Sequence, residues 1–172
     1  LHEAIAYYAS EPERWRRELI ASRTGLARNA SLRGRYAESL ELREAILRDR
    51  IALKGERDPD FAMDLMNLST SLSNLGRHVE SEAALARSQA LLTELLGPEH
   101  LRTLVVQRAH GLTLLDLGRI EDARRAAEAV LARSAPNQAA ARTLQPLAYG
   151  VLARAALLEH RLDDSARWSQ MA

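Results

Sequence analysis

Five histidines and a scatter of carboxylates are the side chains with catalytic or metal-binding chemistry to offer. His100 and His110 flank the start of one helical pattern, while "HVESE" (78-82) and "EHRLDD" (159-164) set a histidine beside acids. A metal needs its ligands on one helix face, as in His-Glu-x-x-His, and no such spacing occurs, so no metal is expected. A phosphate loop requires Gly-x-x-x-x-Gly-Lys, whereas the one lysine, Lys54, precedes its glycine. Gly-x-Ser-x-Gly and Ser-x-x-Lys are missing, and the absence of cysteine removes thiolate nucleophiles, thiolate zinc sites and disulfides together. The acid pairs Glu121/Asp122 and Asp163/Asp164 are adjacent in sequence, so on a helix they diverge and complement the N-terminal dipole instead of sharing a proton. Trp15 and Trp168 read as packing residues or as contacts to neighbours. The expectation is a non-enzymatic chain without a cofactor.

What remains is arginine, amide and apolar surface, which is the chemistry of binding. With 24 basic and 23 acidic side chains the formal charge is +1, too little field to neutralise several phosphates, so nucleic acid is not an expected partner. No apolar run reaches the roughly 18 to 20 residues of a membrane span, and "LHEAIAYYAS" lacks the form of a signal peptide, so a soluble, cytoplasmic chain is expected. Nearly all its basic residues are Arg, a bias that GC-rich bacterial coding produces. The start at Leu1 fits a fragment of a larger protein.

Those side chains are positioned by a repeat. "GRYAES" begins at Gly34, "GRHVES" at Gly76, "GRIEDA" at Gly118 and "HRLDDS" at His160, each 42 residues after the last. Seven residues before each pair stand Ala27, Ser69, Gly111 and Ala153, and five after it Ser39, Ser81, Ala123 and Ser165. All are small, as two helices meeting closely around a tight turn require. Phe61, Leu65, Leu68, Leu72 and Leu75 make one helical stripe, and Ile120, Ala123, Ala127, Val130 and Leu131 another. Each hairpin is amphipathic and needs its neighbour to bury its apolar face. Gly34, Gly76 and Gly118 are expected to turn the chain with positive φ, and His160 to take the same turn with local strain.

Between hairpins, "KGERDPD" (54-60), "LGPEHL" (96-101) and "SAPNQ" (134-138) supply breaks. "SEPE" offers Ser10 and Glu13 as a capping box. The predicted helices are 1-10, 11-33, 36-53, 59-75, 78-96, 101-117, 120-134, 138-159 and 162-171. Pro146 predicts a kink or a late start in the eighth.

This pattern resembles the tetratricopeptide repeat, and its period resembles the 42-residue kinesin-light-chain type. "GERDPDFAMDLMNLS" (55-69) and "GPEHLRTLVVQRAHG" (97-111) are similar to that type's linker and first helix. Leu101 stands where the family prefers Pro, Arg43 takes a usual apolar position, and Arg23 and Arg33 interrupt the first repeat. These arginines must reach solvent or a carboxylate, which makes the first repeat the least regular. The resemblance implies an all-α, right-handed superhelical solenoid of about four antiparallel hairpins. A trailing helix (1-10) precedes repeats 11-53, 54-96, 97-134 and 135-172, all within one domain, 1-172.

The resemblance also implies protein or peptide binding on a concave wall lined by first helices. Carried over by position, that wall comprises Thr24 and Arg28; Met66, Asn67, Thr70 and Ser73; Arg108, Leu112 and Leu115; and Arg154 and Leu157. Asn67 matches the family's asparagine and can pair with a peptide backbone. Arg28, Arg108 and Arg154 favour an acidic or C-terminal segment as ligand. Two further readings fit the same pattern. One is homodimerisation through uncapped solenoid ends; the other is a peptide sensor controlling an attached kinase or DNA-binding domain in a bacterial signalling protein.

Overall fold

A computed structural model describes residues 2–172, apart from the side chain of Gln138; the first residue of the predicted helix 1-10 thus lies outside the described residues. Among the described residues the elements are α1 (His2–Ala9), α2 (Pro12–Leu32), α3 (Tyr36–Lys54), α4 (Pro59–Asn74), α5 (His78–Leu96), α6 (Leu101–Asp116), α7 (Ile120–Ser134), α8 (Gln138–Leu158) and α9 (Leu162–Met171). The fold is all-α, a solenoid of helix hairpins, and every helix falls where the sequence places it. The residues form two compact units, 1–84 and 85–172, with the division inside α5.

The hairpin turns share one geometry. Gly34, Gly76 and Gly118 have φ of 73°, 74° and 72°, and His160 has φ 59°. At each, two backbone N–H groups reach back to the end of the preceding helix. Gly118 N donates to Leu115 O at 3.0 Å and Arg119 N to Leu114 O at 2.8 Å, and His160 N and Arg161 N repeat this to Leu157 O and Ala156 O at 3.1 and 2.9 Å. This Schellman arrangement satisfies carbonyls that the helix end would otherwise leave bare. The arginine after each turn has a second role that the sequence reading missed. Arg35 pairs with Glu38 at 2.9 Å, Arg77 with Glu80 at 2.6 Å, Arg119 with Asp122 at 2.8 Å and Arg161 with Asp164 at 2.5 Å. Each pair spans three residues, and each carboxylate sits in the first helical turn, where the dipole favours it.

In unit 1, α2, α3 and α4 pack side by side, and α1 packs on α2. Phe61, Ala62, Leu65 and Leu72 of α4 are buried with Leu19, Leu26, Leu40 and Ile46. The three arginines of concern find different outlets. Arg23 bonds Asp49, which also faces Arg16 at 3.7 Å. Arg33 is exposed. Arg43 donates Nε to Ser71 Oγ at 3.2 Å, and Ser71 shares a 2.9 Å hydrogen bond with Ser39. Burial lowers the Arg43 pKa while the charge of Asp64 raises it.

Two expectations for these helices are corrected. Ser10 does not cap α2: its hydroxyl donates to Tyr7 O at 2.7 Å, closing α1, and the N-cap residue of α2 is Glu11, without a side-chain cap. Glu13 pairs instead with Arg16. The irregular residue of α2 is Trp15, at φ −111° and ψ 21°, held among Tyr7, Tyr8 and the Arg14 guanidinium. Of the kink or late start expected from Pro146, the late start does not occur, since α8 runs from Gln138 through Pro146 to Leu158. Asn137 caps it, its side chain accepting from Ala139 N and Ala140 N, both at 3.1 Å.

In unit 2, α6, α7, α8 and α9 pack in succession, and α6 also meets α8. One core joins Leu104, Leu114, Leu115, Ala123, Ala127, Val130, Leu144, Val151 and Leu152. Gly111 marks the close approach: a Cβ there would lie 3.5 Å from Val151 Cγ1 and 3.6 Å from Ala123 O. Trp168 stacks on Tyr149 at 5.6 Å between ring centres, so it is a packing residue, as expected.

Candidate functional site

The residues assigned to the wall come from the first helix of each hairpin, and the structure sorts them by what each side chain already does. In unit 1, Thr24 and Arg28 are exposed one turn apart on α2, with the Thr24 hydroxyl donating to Ile20 O at 2.7 Å. On α4, Met66, Asn67 and Ser73 are half-buried and Thr70 is exposed. The Thr70 hydroxyl is turned back to Met66 O at 3.3 Å. Asn67 therefore offers the most versatile group on this face, an amide with both donor and acceptor capacity.

In unit 2 the assigned residues behave unequally. Leu115 is 4% exposed and belongs to the core, so its assignment to an open wall is corrected. It stands near the end of α6, just before the Schellman turn, and shares one buried cluster with residues of α7 and α8. Leu112 is half-buried against that core, and Leu157 is 53% exposed. Arg154 is committed to Asp116 at 2.6 Å, an ion pair joining α8 to α6. Arg108 differs from every other cation on this face. It is half-buried, and its Nε is fully covered with no hydrogen-bond partner. Burial lowers its pKa from the ordinary arginine value, and no carboxylate opposes that effect.

Two of the histidines have structural partners that the structure shows directly. His100 caps α6, Nδ1 accepting from Arg102 N at 3.2 Å, and His110 Nδ1 meets Gln89 Oε1 at 3.0 Å. Among the described residues, no group of three or more His, Cys, Asp or Glu is placed to hold a metal. No helix among them is long and apolar enough to cross a membrane. A groove over the other side of α6, between α5 and α7, went unnoticed in the sequence; its signal is a set of polar residues at positions where the flanking repeats are apolar.

Comparison with known proteins places this geometry. Residues 60–135 match the tetratricopeptide repeat family model. No curated protein matches the chain. Among solved structures it is similar to the nearly identical TPR-like repeats of a kinesin light chain from Podosopora anserina. That match has 19% identity and a TM-score of 0.79, covering 99% of this chain and 81% of that one. A single-substitution variant of the same repeats gives 20% identity and a TM-score of 0.81 over 98% of this chain and 80% of that one. BtubC (BKLC) from P. vanneervenii matches at 16% identity and a TM-score of 0.77, covering 88% of this chain and 61% of that one. Residues 60–135 thus belong to the tetratricopeptide repeat family, and the chain around them has the fold of its kinesin-light-chain-like members.

Proposed function

We propose that this chain is a non-enzymatic scaffold that binds a protein partner through an extended acidic or C-terminal segment. Tetratricopeptide repeats in general bind proteins or peptides. The observation that carries the finer reading is Arg108, a cation whose Nε is desolvated without an internal counter-charge. A half-buried guanidinium without a counter-charge is costly, and a ligand carboxylate would supply that charge with two parallel hydrogen bonds at the terminal Nη groups. Unit 1 by itself offers the same chemistry, the Arg28 guanidinium for a carboxylate and the Asn67 amide for a peptide main chain.

The test is fluorescence anisotropy with two octapeptides, one rich in Glu and Asp with a free C-terminal carboxylate, the other its amidated Gln/Asn counterpart. The acidic peptide should bind the tighter, and Arg108→Ala should weaken it by about tenfold or more. Arg108→Lys should recover only part, because an ammonium lacks the planar fork. Unchanged binding in a combined Asn67→Ala, Thr70→Ala, Arg108→Ala variant would reject the wall.

One observation favours a second reading, self-association. Leu157, Leu158, Leu162 and Met171 are 53%, 47%, 65% and 44% exposed within unit 2, a density of apolar surface that a second copy would cover. Sedimentation velocity showing monomer across a wide concentration range would dismiss it.

A further inference from the structure

The groove over α6 is built from unit 2 alone. Residues 86–94 of α5 form one bank, α7 the other, and Gln107, His110 and Leu114 of α6 the floor, enclosing about 720 Å³. At 3.6 residues per turn, this floor lies roughly 130° around α6 from Arg108 and Leu112, so it is a different face from the proposed wall.

Three residues at its base break the repeat's own pattern. Gln89, Gln107 and His110 correspond to Leu47, Leu65 and Leu68 in the preceding repeat and to Leu131, Tyr149 and Leu152 in the following one. Leu65 and Leu152 are buried core residues, whereas the floor at the same position in this repeat is polar. A sequence that needed only to pack would keep these positions apolar, because buried polar groups cost stability unless they are bonded. Here the two glutamines are bonded through one end. His110 Nδ1 meets Gln89 Oε1 at 3.0 Å, and Arg133 donates to Gln107 Oε1 at 3.2 Å, although Gln107 is 6% exposed. Both glutamines thus use their carbonyl oxygen within the protein, which leaves their amide N–H groups as unused donors. Small side chains, Ala86, Ala90 and Ala126, keep the approach open.

The charges select the ligand. Arg119 and Arg125 line the groove but both pair with Asp122, whose carboxyl their hydrogen bonds hold below the usual range, and Glu94 adds a second acid. Among the residues that line the groove two cations face two carboxylates, so their formal charges cancel, and the one further cation in contact with its floor, Arg133, is turned to Gln107. Amide donors in a neutral groove suit neutral acceptors, and the commonest neutral acceptor array is the row of carbonyls along an extended chain.

We propose that the groove between α5 and α7 is a second binding site, which holds an uncharged, extended peptide segment through hydrogen bonds from Gln89 and Gln107 to its main-chain carbonyls. It would let one unit engage two segments on opposite faces of α6.

The experiment is a ¹H–¹⁵N NMR titration of the intact chain with N-acetylated, C-amidated octapeptides randomised over Ala, Ser, Thr, Asn, Gln and Leu. The side-chain amide signals of Gln89 and Gln107 and the backbone signals of Ala90 and Ala126 should shift and saturate. They should do so equally in Arg108→Ala, and far less with a matching library containing Glu and Asp. The variant Gln89→Leu, Gln107→Leu, His110→Leu restores the neighbours' residue types. It should lose about tenfold or more in peptide affinity while its Tm rises, a combination that a purely structural role for the three residues would not produce. Gln107→Met, close in volume, provides the same comparison if the triple variant does not fold. No shifts with the neutral library, equal shifts with the acidic one, or undiminished binding by the apolar variants would overturn the proposal.

Discussion

Arg108 and Asp49 show how the same kind of buried charge has opposite consequences according to its partners. Arg108 keeps a donor, its Nε, covered and unbonded inside the molecule. Arg108→Leu should therefore raise stability by about 1 to 2 kcal/mol, the cost of an unsatisfied buried donor, while abolishing acidic-peptide binding. Urea denaturation checks this, and a lower midpoint in the variant would show that the guanidinium is satisfied after all. Asp49 is the reverse case. It is 9% exposed and holds Arg23 and Arg16 from the neighbouring helix. Asp49→Ala would leave the half-buried Arg23 without its carboxylate and Arg16 with Glu13 alone, and a loss of about 3 kcal/mol is expected. A loss under about 1 kcal/mol would place those arginines in water.

At the level of the helix and its ends, the turns were legible in the sequence because their requirement is local. A glycine that must take positive φ between two helical patterns can be recognised without knowing what it packs against, whereas the pairing of the next arginine with an acid three residues on was missed. The capping box at Ser10 and Glu13 was misread because the same hydroxyl can serve the helix before it or the helix after it, and Tyr7 O is the nearer acceptor. His160 tests the turn directly. At φ 59° it occupies a conformation that costs an L-residue roughly 1 kcal/mol, so His160→Gly should stabilise by about that amount in thermal unfolding. Gly118→Ala should cost a similar amount through the backbone alone, since a Cβ there meets nothing within 4 Å. Asp58 makes a pH-dependent prediction at the start of α4. Burial raises its pKa, but hydrogen bonds from Asp60 N, Lys54 and Phe61 N outweigh this and the folded value lies below the ordinary one. A lowered carboxylate pKa stabilises the fold above the unfolded value and loses that contribution as pH falls through the folded one. Asp58→Ala should cost about 1 kcal/mol at pH 7 and progressively less as the pH drops below about 4. A cost independent of pH would assign the cap to geometry and not to charge.

Across the whole chain, the period revealed the fold because each hairpin repeats the same local solution, whereas the candidate sites depend on which faces meet. Leu115 was assigned by position to a surface and lies in the core. Gln89, Gln107 and His110 are scattered over 22 residues of sequence and become a set only when two helices bring them together. The same nearest-neighbour construction determines how the molecule should open. In a solenoid each helix is stabilised by those packed directly against it, so local opening follows local burial. Neither α1 nor α9 has a buried residue, while α4 and α6 carry Phe61, Ala62 and Leu65, and Leu104, Val106 and Leu114, all nearly inaccessible. Native-state hydrogen exchange should therefore rank α1 and α9 fastest, opening at small free energies, with the amides of α4 and α6 slowest and nearest the global limit. The ranking should persist across protein concentration if the exposed Leu162 and Met171 remain in water. Protection of α9 that grows with concentration would instead show a second copy covering them, and would move the self-association reading ahead of the peptide scaffold.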